Sequence, residues 1–417
     1  MDISSHFHST QYVALSRPSP IQPAPKRYFR ILTISPARDA AFRVLRRVSG
    51  GGYASDLLRL ECVRLNARDA GLAETIVFGC LRYQAQLDYL IGHFSGRPQA
   101  VRSGTGPERP ALGTETSARP AAPGSVVPRK VQKLDDEVRI ALRMGMYQIR
   151  YLDRIPAHAA VMESVELVKK AHKRSAAGLV NAILRKVNRK PVAWPDLSTQ
   201  WSVPAWMLGR WTNRYGPEMA EGIARAALEE PAEYINPDTG RQQDIGAQSI
   251  VPLLAIEPGM TLLDLCAAPG NKTAQALESG ARVIACDRYW RRLAEVPAEA
   301  ARVVLDATEA LPFHANFDRI LVDAPCSGTG TLARNPEIKW RLQPDDLPVF
   351  QARQRRMLEQ AVEVLKPGGR LVYSTCSLEA EENEAVVAGF PVLETRLRIP
   401  GRDPGDGFFG AVIARGP

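Results

Sequence analysis

From Pro36 to Lys190 apolar residues recur every three or four positions, the spacing of helices that bury one face. Phe42, Leu45 and Val48 open the first stripe, Ile76 and Leu81 continue it, and Leu87, Leu90 and Ile91 form another. Further helices are predicted over Asp135–Tyr151, Ala157–Ala171 and Ala176–Val187. No strand-like alternation interrupts them, so residues 36–190 are predicted to form an all-helical domain. Gly96 to Val127 breaks the pattern, being rich in Pro, Gly, Ser, Thr and Ala; it is predicted to be a disordered insertion covering about 96–130.

Residues 191–247 read as a helical connector, with a helix start at Pro204-Ala205-Trp206-Met207 and an apolar stripe from Trp211 and Tyr215. Beyond Gln248 short apolar runs alternate with helical stretches. Strands are predicted at Thr261–Leu265, Arg282–Cys286, Arg302–Leu305, Arg319–Val322 and Arg370–Tyr373. That texture predicts an α/β domain over 248–417, built on a parallel, doubly wound sheet. Weaker runs at Val392–Ile399 and Phe408–Ile413 would add an antiparallel edge.

Composition narrows the class. A chain of 417 residues exceeds one ordinary core. With 54 Lys+Arg against 45 Asp+Glu, the net charge of +9 favours a polyanionic partner. The six cysteines form no CxxC and no zinc-spaced Cys/His set, which fits reduced thiols in a cytoplasm better than a disulfide framework or a metal site. No apolar run reaches the roughly 18 residues of a membrane span. Residues 1–35 lack a continuous apolar core and are expected to be a disordered N-terminal extension, not a signal peptide.

Chemistry concentrates where strands end. Leu262-Leu263-Asp264-Leu265 leads into Cys266-Ala267-Ala268-Pro269-Gly270-Asn271-Lys272, a small turn that lets a ligand approach backbone N–H groups ahead of a helix N-terminus. The turn lacks GxGxxG and GxxxxGK[ST], so neither a pyrophosphate cradle nor a P-loop is predicted. Asp287 ends the second strand, where an acid can accept from ribose hydroxyls, and Asp306 ends the third, placed for an adenine edge. Each could instead simply cap the helix that follows.

Cys326 and Cys376 sit just past strands, in Pro325-Cys326-Ser327 and Thr375-Cys376-Ser377. Cys62, Cys80 and Cys286 read as small buried hydrophobes. Adjacent parallel strands would bring the two loops together, and a thiolate there can add to an electron-poor carbon. A redox dithiol is the competing reading.

Leu265-Cys266-Ala267-Ala268-Pro269-Gly270, Asp323-Ala324-Pro325-Cys326-Ser327-Gly328-Thr329-Gly330 and Ser374-Thr375-Cys376-Ser377 resemble the motifs of RNA cytosine-C5 methyltransferases. Asp136–Arg143 and Gly178–Arg185 resemble the NusB-like domain of the subfamily that modifies small-subunit ribosomal RNA, and Asp406-Gly407-Phe408-Phe409 also fits. The resemblance implies a class I fold, a Rossmann-like and mostly parallel seven-stranded sheet, behind an N-terminal all-α NusB-like domain. It implies S-adenosylmethionine as cofactor, with Cys266–Lys272, Asp287, Asp306 and Asp323 around it. By motif match Cys376 adds to cytosine C6, Cys326 assists release of the methylated base, and Asp323 holds the pyrimidine edge. Departures are visible. Asn271 stands where the family usually has glycine, Ala285 to Leu305 is shorter than usual, and most of a small α/β subdomain is missing between Tyr234 and Asp244.

The expected partner is RNA, most simply 16S rRNA, bound by a monomer with no membrane association. Lys169, Lys170, Lys173, Arg174, Arg185 and Lys186 are candidate phosphate contacts late in the helical domain, and Arg334 and Lys339 are candidates near the Cys326 loop. The helical domain is expected to supply affinity and not chemistry. A tRNA-directed enzyme and a non-catalytic RNA-binding factor are the alternative readings.

Overall fold

The computed structural model describes residues 34–96, 134–314 and 317–415. The proposed N-terminal extension, apart from its last two positions, and nearly all of the proposed insertion lie outside the described residues.

The helical half contains α1 (Pro36–Ser49), α2 (Ala54–Cys62), α3 (Ala67–Arg82), α4 (Gln84–Ser95), α5 (Asp136–Tyr151), α6 (Ala157–Lys170) and α7 (Ala177–Leu184). Their ends follow local chemistry: Pro36 occupies the first turn of α1, and the Asn66 side chain accepts from Asp69 N at the start of α3. Phe42, Leu45, Ile76, Leu87, Leu90, Ile140 and Val180 all enter one buried cluster, so the periodicity in the sequence marks the core-facing stripes.

The connector forms α8 (Leu197–Gln200), α9 (Ala205–Tyr215), α10 (Pro217–Ala226) and α11 (Ile245–Gln248). Trp211, Met207 and Ile223 pack with Leu332, Ile338, Leu378 and Ile399, which fastens α9 and α10 onto the C-terminal half. The shortened stretch is a tight turn. Asn236 N donates to Arg241 O at 2.8 Å, Gln243 N donates to Tyr234 O at 2.9 Å, and Asn236 Oδ1 accepts from Asp238 N.

The C-terminal half runs β1 (Thr261–Asp264), α12 (Asn271–Glu278), β2 (Arg282–Asp287), α13 (Trp290–Leu293), β3 (Ala301–Val304), β4 (Phe317–Asp323), α14 (Ile338–Arg341), α15 (Leu347–Glu363), β5 (Leu365–Thr375), α16 (Glu384–Val387), β6 (Val392–Arg398) and β7 (Phe408–Ala414). The seven strands lie in the order β3-β2-β1-β4-β5-β7-β6. β1 to β5 are parallel, while β7 runs antiparallel to both β5 and β6. Buried aliphatic clusters cover both faces of this Rossmann-like sheet. Strand order reverses between β1 and β4, which opens a crevice at the strand C-termini.

Candidate active site

A cleft of about 970 Å³ opens over β1 and β4. One wall is the turn after β1, with Asp264, Cys266, Ala267, Ala268, Pro269, Asn271 and Lys272, joined by Asp323 at the end of β4. The facing wall comes from the helical domain, with Leu58, Arg59 and Cys62 of α2 and Glu74 and Phe78 of α3. The helical domain therefore forms one wall of the cleft.

Gly270 caps α12 with φ of 103°, and a Cβ there would meet Val296 Cα at 2.8 Å. Asn271, in place of the family glycine, donates from Nδ2 to Gln242 O at 3.2 Å. It ties the cofactor turn to the connector.

Lys272 Nζ lies 2.7 Å from Asp323 Oδ2, and Ser374 Oγ donates to Asp323 Oδ1 at 2.7 Å. This chain links α12, β4 and β5. Burial works against the Lys272 charge, but Asp323 overrides it and raises the ammonium above its ordinary range. Asp264 is buried; its Oδ2 accepts from Thr273 Oγ1 at 2.7 Å, while Oδ1 has no hydrogen-bond partner. Burial pushes its carboxyl up to about 7 against the Thr273 hydrogen bond. The sequence reading passed over Asp264 because it sits inside the apolar run of β1.

Asp287 and Asp306 stand at the ends of β2 and β3 as expected, but both also serve local structure. Asp287 accepts from Tyr289 N at 2.9 Å and lies 3.4 Å from Arg292. Asp306 accepts from Thr308 N at 3.0 Å and lies 3.4 Å from Arg288. Its hydrogen bonds from Thr308 hold its carboxyl below the ordinary range.

The two sulfurs meet. β4 and β5 pair in parallel through Asp323 and Ser374, and the loops beyond them set Cys326 Sγ 3.4 Å from Cys376 Sγ. Gly330 N donates to Cys376 O at 2.9 Å, and Gly407 N donates to Gly330 O at 2.8 Å. The hydrogen bond with Cys376, then burial, then the charges of Cys376 and Glu382 push the Cys326 thiol up. Gln354, Glu382 and Asn383, which the sequence reading missed, surround these loops. Gln354 Nε2 donates to Pro325 O at 3.0 Å, and Asn383 Oδ1 accepts from Thr375 Oγ1 at 2.6 Å. Glu382 and Asn383 follow Cys376 closely in the sequence, whereas Gln354 reaches the loops from α15 through folding alone.

The candidate RNA residues divide. Lys169, Lys170 and Lys173 carry ion pairs to Glu166, Asp39 and Asp135 at 2.7, 2.6 and 2.9 Å. Such surface pairs are weak and screened by salt. Arg174 and Lys186 are exposed, with no side-chain partner among the described residues, and Arg185 bonds only Asn181 Oδ1 at 3.1 Å. Arg334 is held by Asp406 at 2.7 Å and Asp244 at 2.9 Å. Lys339 is a correction. It is 1% exposed and donates to Arg82 O at 2.9 Å, because α14 docks into the helical domain. Trp340 Nε1 beside it donates to Leu81 O at 2.7 Å.

The seven-stranded sheet with its antiparallel β7, and a cleft at the strand order reversal, define a class I methyltransferase, whose methyl donor is S-adenosylmethionine. Residues 251–399 match the family described as 16S rRNA methyltransferase RsmB/F, and residues 124–189 match the NusB family. The first family matches the catalytic half of the chain and the second the helical half, which together support S-adenosylmethionine-dependent rRNA methylation. Ribosomal RNA small subunit methyltransferase B of Erwinia tasmaniensis is 29% identical, over 90% of this chain and 97% of that protein. The probable counterpart of Bacillus subtilis is 28% identical over 88% of this chain and 91% of that one. The crystal structure of PH0851 shares the fold, with a TM-score of 0.68 at 19% identity over 92% of this chain and 99% of that chain.

The residues present fit the cofactor. The cleft holds a buried acceptor without a partner, Asp264 Oδ1, beside a backbone turn that leads into the N-terminus of α12. A ligand carrying ammonium or hydroxyl donors and a carboxylate answers both features.

Proposed function

We propose that this methyltransferase modifies C5 of a cytosine in 16S rRNA through a covalent bond between Cys376 and C6 of the base. The observation that carries the reading is the pair of cysteines 3.4 Å apart at the tips of β4 and β5, beside the cofactor turn. Methyl transfer to a basic nitrogen or to a hydroxyl needs neither sulfur. C5 of cytosine is a weak nucleophile, and it becomes enamine-like when a thiolate adds at C6. Bound S-adenosylmethionine supplies an electrophilic methyl group.

Residues of the turn Cys266–Lys272, with Asp264 and Asp287, would hold the cofactor, and Asp306 its adenine edge. Asp323 is placed between the cofactor turn and the cysteine loops, and would accept from the cytosine edge. Cys376 forms the bond to C6. Once C5 carries the methyl group, its proton leaves to a base, the C5–H electrons re-form the C5=C6 double bond, the C6–S bond breaks with its electrons returning to Cys376, and Cys326 assists that release. Cytosine must leave its stack to reach this site, so a loop or distorted segment is the expected target.

Cys376→Ala should abolish methylation and form no covalent adduct with RNA. Cys326→Ala should trap enzyme on RNA, since addition and methylation proceed while release stalls. Denaturing gels with cofactor and rRNA read both outcomes. An adduct in Cys376→Ala, or rapid release by Cys326→Ala, would overturn the assignment.

A further inference from the structure

Glu382 is fully buried in the turn between β5 and α16, away from the cofactor cleft. Its Oε1 accepts from Ser327 N at 2.8 Å and from Gln354 Nε2 at 3.0 Å. Its Oε2 accepts from the hydroxyls of Ser327 and Ser377. Ser327 follows Cys326 in the chain, and Ser377 follows Cys376. One carboxylate therefore touches both cysteine loops at the residue next to each sulfur. Four donors converge on it, the full complement of an acceptor-only group. Tyr373 OH also donates to Glu382 O at 2.6 Å, which fixes the backbone of the turn to β5.

We propose that Glu382 is the positioning residue of the cysteine pair: its carboxylate ties the two loops together and sets how the sulfurs share addition and release. This rests on the two-cysteine reading given above. The arrangement has two separable parts. The hydrogen bonds fix the distance between the loops, and the negative charge acts on the sulfur in front of it.

Cys326 is flanked by Cys376 and Glu382, with Tyr373 of β5, Asp323 of β4 and Cys266 of the cofactor turn in the same electrostatic neighbourhood. Glu382 thus adds negative charge behind Cys326 and favours the thiol that keeps its proton. One buried carboxylate would help make two neighbouring sulfurs unequal, as a division into adding and releasing groups requires.

Glu382→Gln and Glu382→Ala separate the parts. A glutamine can keep the geometry, since its Oε1 can accept from Ser327 N and Gln354 while its Nε2 donates to the two serine hydroxyls. Only the charge is lost. Alanine removes the tie itself. Methyl transfer to rRNA should fall by about 10- to 100-fold in Glu382→Ala, the usual consequence of small misplacements of reacting groups. Glu382→Gln should recover part of that loss. S-adenosylmethionine affinity, by calorimetry on the full chain, should stay within about twofold of wild type in both, since Glu382 does not line the cleft.

Alkylation of Cys326 by iodoacetamide, resolved by mass spectrometry as a function of pH, reads the charge directly. Loss of the carboxylate should move the Cys326 curve to lower pH in Glu382→Gln. Ser327→Ala and Ser377→Ala are milder variants that remain informative where Glu382→Ala does not fold. Each should lose turnover several-fold, and both losses should persist in the Glu382→Gln background, which keeps the tie that the serines complete. Wild-type turnover in Glu382→Ala and both serine variants, a cofactor affinity that falls in step with turnover, or an unmoved Cys326 curve would each overturn the proposal. A wild-type enzyme that leaves cytosine C5 unmethylated would refute the functional reading instead, and the alkylation comparison would still decide the role of Glu382.

Discussion

Asp264 combines a bonded oxygen, an unbonded oxygen and deep burial in a single side chain at the edge of the cleft. With its carboxyl pushed up to about 7, the ligand-free group keeps its proton under mildly acidic conditions. A cofactor that offers N–H or O–H donors favours the ionised form, so binding below that value must release a proton. Affinity for S-adenosylmethionine is expected to fall as pH drops from 8 to 6, approaching about tenfold per unit well below the pKa. Above it the affinity should level off. Asp264→Asn should bind less tightly at pH 8 and lose most of the dependence; calorimetry across this range checks both. The sign reverses for stability of the ligand-free protein. The unfolded carboxyl ionises at 3.8 and the folded one only near 7, so this group makes folding less favourable as pH rises between those values. A flat affinity profile in the wild type would remove Asp264 from the cofactor site.

The elements that carry the site are held by close backbone approaches, and one of them is at Gly330. A Cβ on it would lie 2.5 Å from Gly407 O and 2.8 Å from Cys376 O, where neither backbone can yield cheaply. Gly330→Ala should lower stability by about 1–3 kcal/mol, the usual cost of overpacking, and should lower turnover by disturbing the Cys376 loop. Gly209→Ala, in α9 with nothing within 4 Å, is the control and should leave the melting temperature unchanged or higher. Equal melting temperatures for the two variants would contradict the close approach. Much of this layer was legible in advance. The period of apolar residues found α5 and α6 to within a residue or so, and the apolar runs found all seven strands, most plainly β1, β4 and β7, where burial is written into residue type. The two cysteines were legible for the same reason, each following such a run. What stayed hidden depends on partners far away in sequence. Glu382 looked like one acid among several in Glu379-Ala380-Glu381-Glu382, and only folding brings Ser327 and Gln354 to it. Lys339 misled in the opposite direction: its place after the Cys326 loop made it resemble a phosphate contact, and its burial depends on a helix more than two hundred residues earlier.

At the scale of the whole molecule, the segment that follows the Cys326 loop grips the helical domain at helix ends. Glu337 Oε1 accepts from Ala54 N at 3.0 Å at the start of α2, while Lys339 and Trp340 donate to Arg82 O and Leu81 O at the end of α3. A carboxylate thus meets a helix N-terminus, and the Lys339 Nζ and an indole N–H donate to carbonyls at a C-terminus. Arg82 returns the contact by donating to Ala333 O at 3.1 Å. The same α2 and α3 wall the cofactor cleft, so this grip sets the cleft width as well as the orientation of the helical domain. It carries an electrostatic cost, because burial, with Arg82 nearby, lowers the Lys339 ammonium from 10.5 to about 7. Between those values the unfolded chain binds a proton that the folded one refuses, so the Lys339 contribution to stability rises with pH through this window and is lost as pH falls to about 7. Lys339→Met removes the refused charge together with one hydrogen bond. Its melting temperature relative to wild type should therefore improve progressively as pH is lowered from 10 towards 7, and level off below. Thermal denaturation of the two proteins at matched ionic strength provides the comparison. A difference that stays constant with pH would mean that Lys339 remains charged inside the interface, and that the helical domain is held by an ammonium rather than by an amine.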